Sequence, residues 1–422
     1  MRKLILLAVA MVLLLPSSAT GREAPESVAL AQAEPRLSSE FRISWSTPVA
    51  AARHNPRAAY NSVSHQYMVV WHNAWPGGLL DIYAQRVTSS GKLLSHFTVA
   101  TGAGGDGHDR WLPAVAYNAT ANEYLVVYMV DVGSNNYEVW GRRVSWDGAL
   151  MSTEFVIFTW GNRAFWSPRV AWNRHANEYF VVANARDTIS GKWNDVAGRR
   201  VTALGTTPYA GFNVSAQNQT LQPQMGDVAS SGVLTPAEVA DEFLVVWRQW
   251  AFGDDWDIYG ARVEANTVVA PGPLLLDPSA SDESYPAVTS DGGGRYGVVW
   301  QTMASSWGLC GKLLDLTGST LGGFCRDYAF VAEQNPALAL VRTESLPVVA
   351  FRSQLTGYAD GIGGYFETLL LEVGADVAQS PPHVVSGPPG YLFVYGRTEG
   401  ADVHIWGRLL WPATVFLPLA LR

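Results

Sequence analysis

Three apolar phrases recur along this chain of 422 residues. Each is short, rich in β-branched and aromatic types, and bounded by Gly, Asn, Asp or Pro. Together they predict an all-β fold, a single seven-bladed β-propeller with four antiparallel strands per blade. The first phrase is typified by Pro113-Ala-Val-Ala-Tyr-Asn118, the second by Glu123-Tyr-Leu-Val-Val-Tyr128, and the third by Tyr137-Glu-Val-Trp-Gly-Arg-Arg-Val144.

The first phrase begins at Pro56, Pro113, Pro168, Pro223, Pro286, Pro336 and Pro381, which sets seven units of 45 to 63 residues. The second returns as Tyr67–Trp71, Tyr124–Tyr128, Tyr179–Ala183, Phe243–Trp247, Tyr296–Trp300, Pro347–Phe351 and Tyr391–Tyr395. In unit four an insert around Ser230–Pro236 lengthens the first turn. The third phrase recurs at Asp81–Val87, Glu138–Val144, Asp195–Val201, Asp257–Val263, Trp307–Leu313 and Val403–Leu409, and is degenerate near Gly361–Phe366. Looser fourth runs follow at Phe97–Ala100, Phe155–Phe158, Phe212–Ser215, Leu274–Leu276, Tyr328–Val331 and Thr368–Leu371.

Runs of four to seven residues with these boundaries read as strands rather than helices. The unbroken Leu-Val-Val core of the second phrase suits a strand covered on both faces by neighbouring blades. A glycine repeats in the third phrase at 141, 198, 260, 311 and 407, with Ala84 in register, and marks a place where backbones or bulky neighbours approach closely. The last unit lacks a fourth strand, while Glu40-Phe-Arg-Ile-Ser-Trp45 precedes the first unit as a spare. Residues 40 to 46 are therefore expected to complete the last blade, closing the ring and leaving no open sheet edge. The competing closing strand is Thr414–Leu421, whose Pro418 suits only an edge.

Arg2 and Lys3, the apolar run to Leu15 and the small residues up to Gly21 read as a secretory signal peptide over 1–19. The run is too short to span a bilayer comfortably. A flexible spacer is expected over 20–39, the propeller over 40–411 and an apolar tail over 412–422. A formal net charge of −8 argues against nucleic acid and anionic membranes as partners, and 48% hydrophobic residues are too many for disorder. In the oxidising compartment that a leader implies, Cys310 and Cys325 are expected to staple one hairpin. A metal-binding or reactive pair would want a neighbouring His or further cysteines.

The phrases resemble the tandem repeats of secreted bacterial β-propeller proteins, approximately Pro-x-Val-Ala-Tyr, Tyr-Leu-Val-Val-Trp and Asp-Ile-Tyr-Gly-x-Arg-Val. The match runs from about residue 40 to 411, strongest in units one to four. The ending Val415–Arg422 is similar to terminal segments of exported proteins from filamentous Chloroflexi-type bacteria. Both resemblances imply architecture and export. Neither carries over a catalytic residue, because such repeats mostly lack an assigned activity.

In a propeller, the loops between second and third strands and those linking blades open on one face. Here those loops carry Trp75, His108, Asp109, Trp111, Trp166, Trp193, Trp250, Asp255, Trp256 and Trp307 as candidate ligand-binding residues. Flat indoles stack on the C–H faces of sugars while carboxylates hydrogen-bond hydroxyls, so a non-catalytic glycan-binding or adhesion module is the expected function. The plain alternative is that each Trp packs between blades. A hydrolase would need facing carboxylates, for which Asp106, Asp109, Asp254, Asp255, Asp282 and Glu283 are candidates. No sialidase-type Ser-x-Asp-x-Gly-x-x-Trp box is present; Ser145-Trp-Asp-Gly148 lacks the closing Trp. A scaffold for extracellular protein partners is the third reading. No cofactor or metal is expected, since Gly104–Asp109 lacks the alternating oxygens of a calcium loop. The acids at 81, 138, 195 and 257 stand five residues before Arg86, Arg143, Arg200 and Arg262, and both sets read as structurally paired within or between blades. Sequons occur at Asn118, Asn213 and Asn218. A secreted or surface-associated monomer is expected, without stable membrane insertion.

Overall fold

Every element of regular structure among the described residues is a β-strand. The computed structural model describes residues 36–45, 51–75, 78–102, 106–159, 161–215, 221–232, 243–250, 255–269, 272–303, 307–326, 331–339, 348–355, 361–366, 369–375, 381–388 and 390–411. The expected signal peptide, most of the spacer and the apolar tail, with its competing strand, lie outside them.

The repeats fold as antiparallel meanders. Unit one is Ala52–Asn61, Gln66–Ala74, Leu80–Thr88 and Leu93–Ala100; unit two is Arg110–Asn118, Glu123–Gly133, Asn136–Ser145 and Phe155–Phe158. Unit three follows as Arg163–Asn173, Glu178–Asp187, Trp193–Thr202 and Phe212–Asn213, and unit four as Gln224–Ser230, Phe243–Trp250, Trp256–Glu264 and Leu274–Asp277. Unit five is Asp282–Ser290, Arg295–Met303, Trp307–Asp315 and Thr320–Arg326; unit six is Val331–Ala339, Val348–Leu355, Gly361–Phe366 and Leu369–Ala375. The last comprises His383–Gly387, Gly390–Glu399 and Asp402–Trp411. Against its third strand lie Phe41–Arg42, with Phe41 opposite Gly407, and Arg36–Leu37, opposite Trp411 and Leu410. Pairing thus begins at 36, inside the stretch expected as spacer; two residues are too few for the propensity pattern that flags a strand.

Apolar clusters weld each unit to the next. One joins units one and two, others join two to three, three to four, four to five, five to six and six to seven, and a further cluster packs Trp71 and Val69 of unit one against Leu392, Val394 and Ile405 of unit seven. Second strands sit between two such layers, and Tyr124 through Val130 are wholly buried. Meanders stacked face on face in chain order, with their first strands lining a common channel, form a β-propeller.

The recurrent proline occupies a bulge in the first strand. The register slips between His54 and Arg57, Trp111 and Ala114, and Trp166 and Arg169, and the residue before the proline takes positive φ: Asn55 53°, Leu112 50°, Ser167 49°. Proline has no N–H to leave unpaired where the ladder breaks. In unit four the equivalent bulge is Met225-Gly226, not Pro223, because the slip lies between Gln224 and Asp227. In unit seven His383 pairs with Val394 as Arg57 pairs with Val70, which puts Pro382 rather than Pro381 in register.

Two other expectations are corrected. The fourth strand of unit five is Thr320–Arg326, with Cys310 opposite Cys325 and joined to it by a 2.07 Å S–S bond; Val331 opens the next unit. The turn at Asp315–Ser319 returns the chain at once, earlier than the Tyr328–Val331 run suggested. In units one to three the third-strand acid and arginine find other partners, because residues five apart on a strand face opposite sides. Arg143 instead binds Glu123 at 2.7 Å, Arg200 lies 2.6 Å from Glu178, and Arg86 donates to Gln66. Asp195 meets Arg163 at 2.9 Å, and Glu138 accepts from the Trp140 indole.

The third-strand glycines lie against large apolar side chains of the adjoining strands and segments. A methyl group added at Gly141 would come within 2.9 Å of Ile157, at Gly311 within 2.7 Å of Phe324, and at Gly407 within 2.7 Å of Ile43. Gly198 is tighter still, against Phe180 and Val214. We expect Gly198→Val to lower unfolding free energy in urea by about 1–3 kcal/mol, the usual penalty of overpacking. Gly322, with open space around its Cα, should accept alanine within about 0.5 kcal/mol.

Candidate functional site

Trp111 and Trp166 hold the same place in units two and three, two residues before the bulge proline. Tyr137 and Trp193 stand at or next to the starts of the third strands beside them. Both kinds of position open on one face, and there the four rings meet. Tyr137 and Trp166 have centroids 4.2 Å apart, Trp111 is 6.2 Å from each, and Trp193 stands edge-on to Trp166 at 6.3 Å. All four are half-buried. Among the described residues the buried indole N–H groups of Trp111 and Trp166 have no hydrogen-bond partner, an uncommon state for a native polar atom.

A second pair lies on unit four. Trp250 and Trp256 cross edge to face at 5.2 Å, and the Arg248 guanidinium lies 4.2 Å over Trp256. The candidates therefore form two patches rather than an even ring. Trp75 is half-buried near Gly78. His108 offers its carbonyl to Arg110, and Asp109 accepts from the Leu80 amide at 2.7 Å, a link between units one and two. Trp307 opens its strand, but its side chain lies outside the described residues.

The carboxylates are mostly engaged. Asp106 takes both ends of Arg110 at 3.0 and 2.9 Å, and Asp282 accepts from the Trp256 amide. Asp254 lies outside the described residues. Glu283 is wholly buried: Ser279 and Thr302 donate to one of its oxygens, and the other has no partner among the described residues. Asp257, 5% exposed, also has an unpartnered oxygen. Among the described residues no group of three His, Cys, Asp or Glu is arranged to hold a metal. The sequon residue Asn118 is buried, its oxygen capping the Thr120 and Ala121 amides and its amide donating to Asn177 of the next unit.

The sequence reading missed the channel. The position after each bulge reads Arg57, Ala114, Arg169, Asp227, Ala287, Ala337 and His383, and all seven line it. Four ionisable residues in a column otherwise of alanine are the signal, visible only once the bulges align the repeats. The channel widens into a cavity of about 200 Å³ beneath Asn55, Leu112, Ser167, Met225 and Tyr285. Arg169 Nε lies 3.8 Å from Asp227, whose other oxygen accepts from the Val288 amide at 3.0 Å. Nδ1 of His383 accepts from the Ala58 amide at 3.3 Å. Burial lowers Arg57 to about 9, with Arg169 adding repulsion.

Burial, opposed by the Ser279 hydroxyl and assisted by Asp277, raises Glu283 to about 8. Burial, with help from Asp255 and Asp277, raises Asp257 to about 6. Unfolded, both ionise near pH 4. Between there and pH 8 the folded chain holds protons on these two groups that the unfolded chain has released, so their contribution to stability is full below about pH 4 and is lost as pH rises through 6 and 8. Glu283→Gln should flatten this fall, leaving the variant more stable than the parent at pH 8.5 by roughly 1–3 kcal/mol in urea titrations. An unchanged slope would show that Glu283 ionises normally.

No protein-family model and no curated protein matches the sequence. Among solved structures the chain is similar in fold to a protein of unknown function from Dyadobacter fermentans, at 9% identity and a TM-score of 0.50, over 90% of this chain and 99% of that one. It is similar also to a Hadza microbial sialidase, at 11% identity and 0.50, over 87% of this chain and 66% of that one. The phage phi92 endosialidase matches at 9% and 0.50, over 92% and 71%. The chain thus spans just under two thirds of the microbial sialidase. At these identities the likeness is one of fold.

Proposed function

We propose that this chain is an exported binding module, a closed seven-bladed β-propeller that recognises glycans on the face carrying Trp111, Tyr137, Trp166 and Trp193. The observation that carries the reading is that aromatic cluster: four half-buried rings, two of them with buried indole N–H groups lacking partners. Ring faces supply stacking surface for sugar C–H groups, and an unpartnered indole N–H is a donor awaiting an acceptor such as a hydroxyl. A binding role without catalysis is supported by Asp195, Asp257 and Glu283, carboxyls raised to about 6, 6 and 8, all being buried. Export is supported by the leader-like start and by the cystine, which belongs to oxidising compartments.

Closure of the ring is supported by one recurring contact. In units two, three and five the glycine of the turn after the third strand abuts the fourth-strand residue of the preceding unit: Gly148 on Phe97, Gly205 on Phe155, Gly318 on Leu274. Gly91 of unit one abuts Phe41 in the same way. Phe41 then stands where a last blade's fourth strand would put it. Phe41→Ala and Phe97→Ala should lower stability by similar amounts, each about 2–4 kcal/mol; a negligible effect at Phe41 would leave the ring open.

The binding reading is tested on a glycan array with the purified chain and its Trp166→Ala and Trp193→Ala variants. Retention of a glycan set, weakened at least tenfold in both variants, is the expected result. Binding that survives in both variants, or is lost only with Trp250→Ala and Trp256→Ala, would move the site or end the reading.

A further inference from the structure

The channel carries more positive than negative charge. Arg57 and Arg169 contribute two cations, and Asp227 a single anion beside Arg169. His383 is held neutral by burial and by both arginines, and with its Nδ1 accepting from Ala58 it carries its proton on Nε2. Among the described residues the balance of two cations and one anion is +1. Among the described residues the Arg57 guanidinium has no hydrogen-bond or ion-pair partner, although burial has lowered its proton affinity. Asp227 attracts it without an ion-pair contact, and the remaining wall mixes Ala114, Ala287, Ala337 and Pro336 with the polar Asn55, Ser167, Asn184 and Thr289.

We propose that this channel is a carboxylate-binding site, in which Arg57 and Arg169 hold a single carboxylate group of a ligand entering from the face that carries the aromatic cluster. The residual charge of +1 matches a monoanion, and Asp227 repels a dianion such as hydrogen phosphate. The planar guanidinium fork fits the planar carboxylate, with two parallel N–H donors for two oxygens. His383 Nε2–H is a further donor lining the same channel. A cavity of about 200 Å³ exceeds the room a carboxylate and its hydrating waters take. Trp111 and Trp166 stand next in sequence to the mouth residues Leu112 and Ser167, so a sugar acid could place its ring on the aromatic face and its acid group in the channel. The carboxylate site itself stands apart from the glycan reading.

Ligand-observed saturation-transfer NMR on the full chain tests it with acetate, glucuronate and, as a neutral control, methyl glucoside. Saturable binding of acetate or glucuronate that weakens at least tenfold in both Arg57→Met and Arg169→Met, with far-UV circular dichroism unchanged, is expected. Arg57→Lys, which keeps charge but not the fork, should fall between parent and Arg57→Met. Glucuronate binding at least tenfold tighter than acetate, with that advantage lost in Trp166→Ala, would assign the carboxylate to a sugar. Equal affinity for the two would assign it to a free small acid. Absence of binding by both acids, or binding indifferent to both arginine variants, overturns the site whatever the array shows.

Discussion

The contact on which the rest depends is a fourth-strand side chain laid over a third-strand glycine and reached from the other side by the next unit's turn. Phe97 and Phe155 occupy that place above Ala84 and Gly141, and Phe324 lies likewise over Gly311. A third strand with a larger residue there would push its own edge strand away, and the next unit would lose the surface its turn rests on. Second strands could then not be covered on both faces. Their runs of Leu, Val and Tyr would lie in water, at about 25 cal/mol for each Å² exposed.

The rim has its own repeated tie. Asn61, Asn118 and Asn173 end the first strands in units one to three, wholly buried, each capping two amides of the following turn. Asn61 and Asn118 also donate to Asn122 and Asn177 of the unit that follows. A buried amide that satisfies its own turn and grips the neighbour fixes both the turn and the stacking distance. This gives the Asn at the end of Pro-x-Val-Ala-Tyr-Asn a structural reason, and it removes Asn118 from the surface where a sequon would act.

Strand identity was legible because covered second strands and glycine-bearing third strands repeat at a short, regular offset. What was not legible had local causes. A bulge can be built on Met225-Gly226 as well as on an X-Pro pair, so counting prolines misaligned unit four; Pro381-Pro382 offered two candidates and the ladder uses the second. Face was misjudged for Asp81 and Arg86 because an odd spacing along a strand separates side chains that seem adjacent in sequence. Three of the candidate tryptophans, Trp111, Trp166 and Trp193, do converge, since equal places in neighbouring repeats become neighbours in space. Arg57 and Arg169 escaped notice because each sits beside a proline in a loop-like phrase, and only the register at His54/Arg57 and Trp166/Arg169 turns both toward the axis.

The pairing of the first described strands with the last has a consequence for how the molecule is made. Ser44 and Ile405 hydrogen-bond across 361 residues of chain, whereas every other meander pairs segments close in sequence. The local hairpins can form as the chain emerges, but this seam must wait for the final repeat. The loop-closure entropy of a long connection grows only logarithmically with its length, so the delay is kinetic more than thermodynamic. Until the seam forms, Asp402–Trp411 is an uncovered edge with Trp406 and Leu410 ready to pair with any passing strand. A newly made chain is thus most prone to aggregate in the interval between completing its last hairpin and recovering its own beginning.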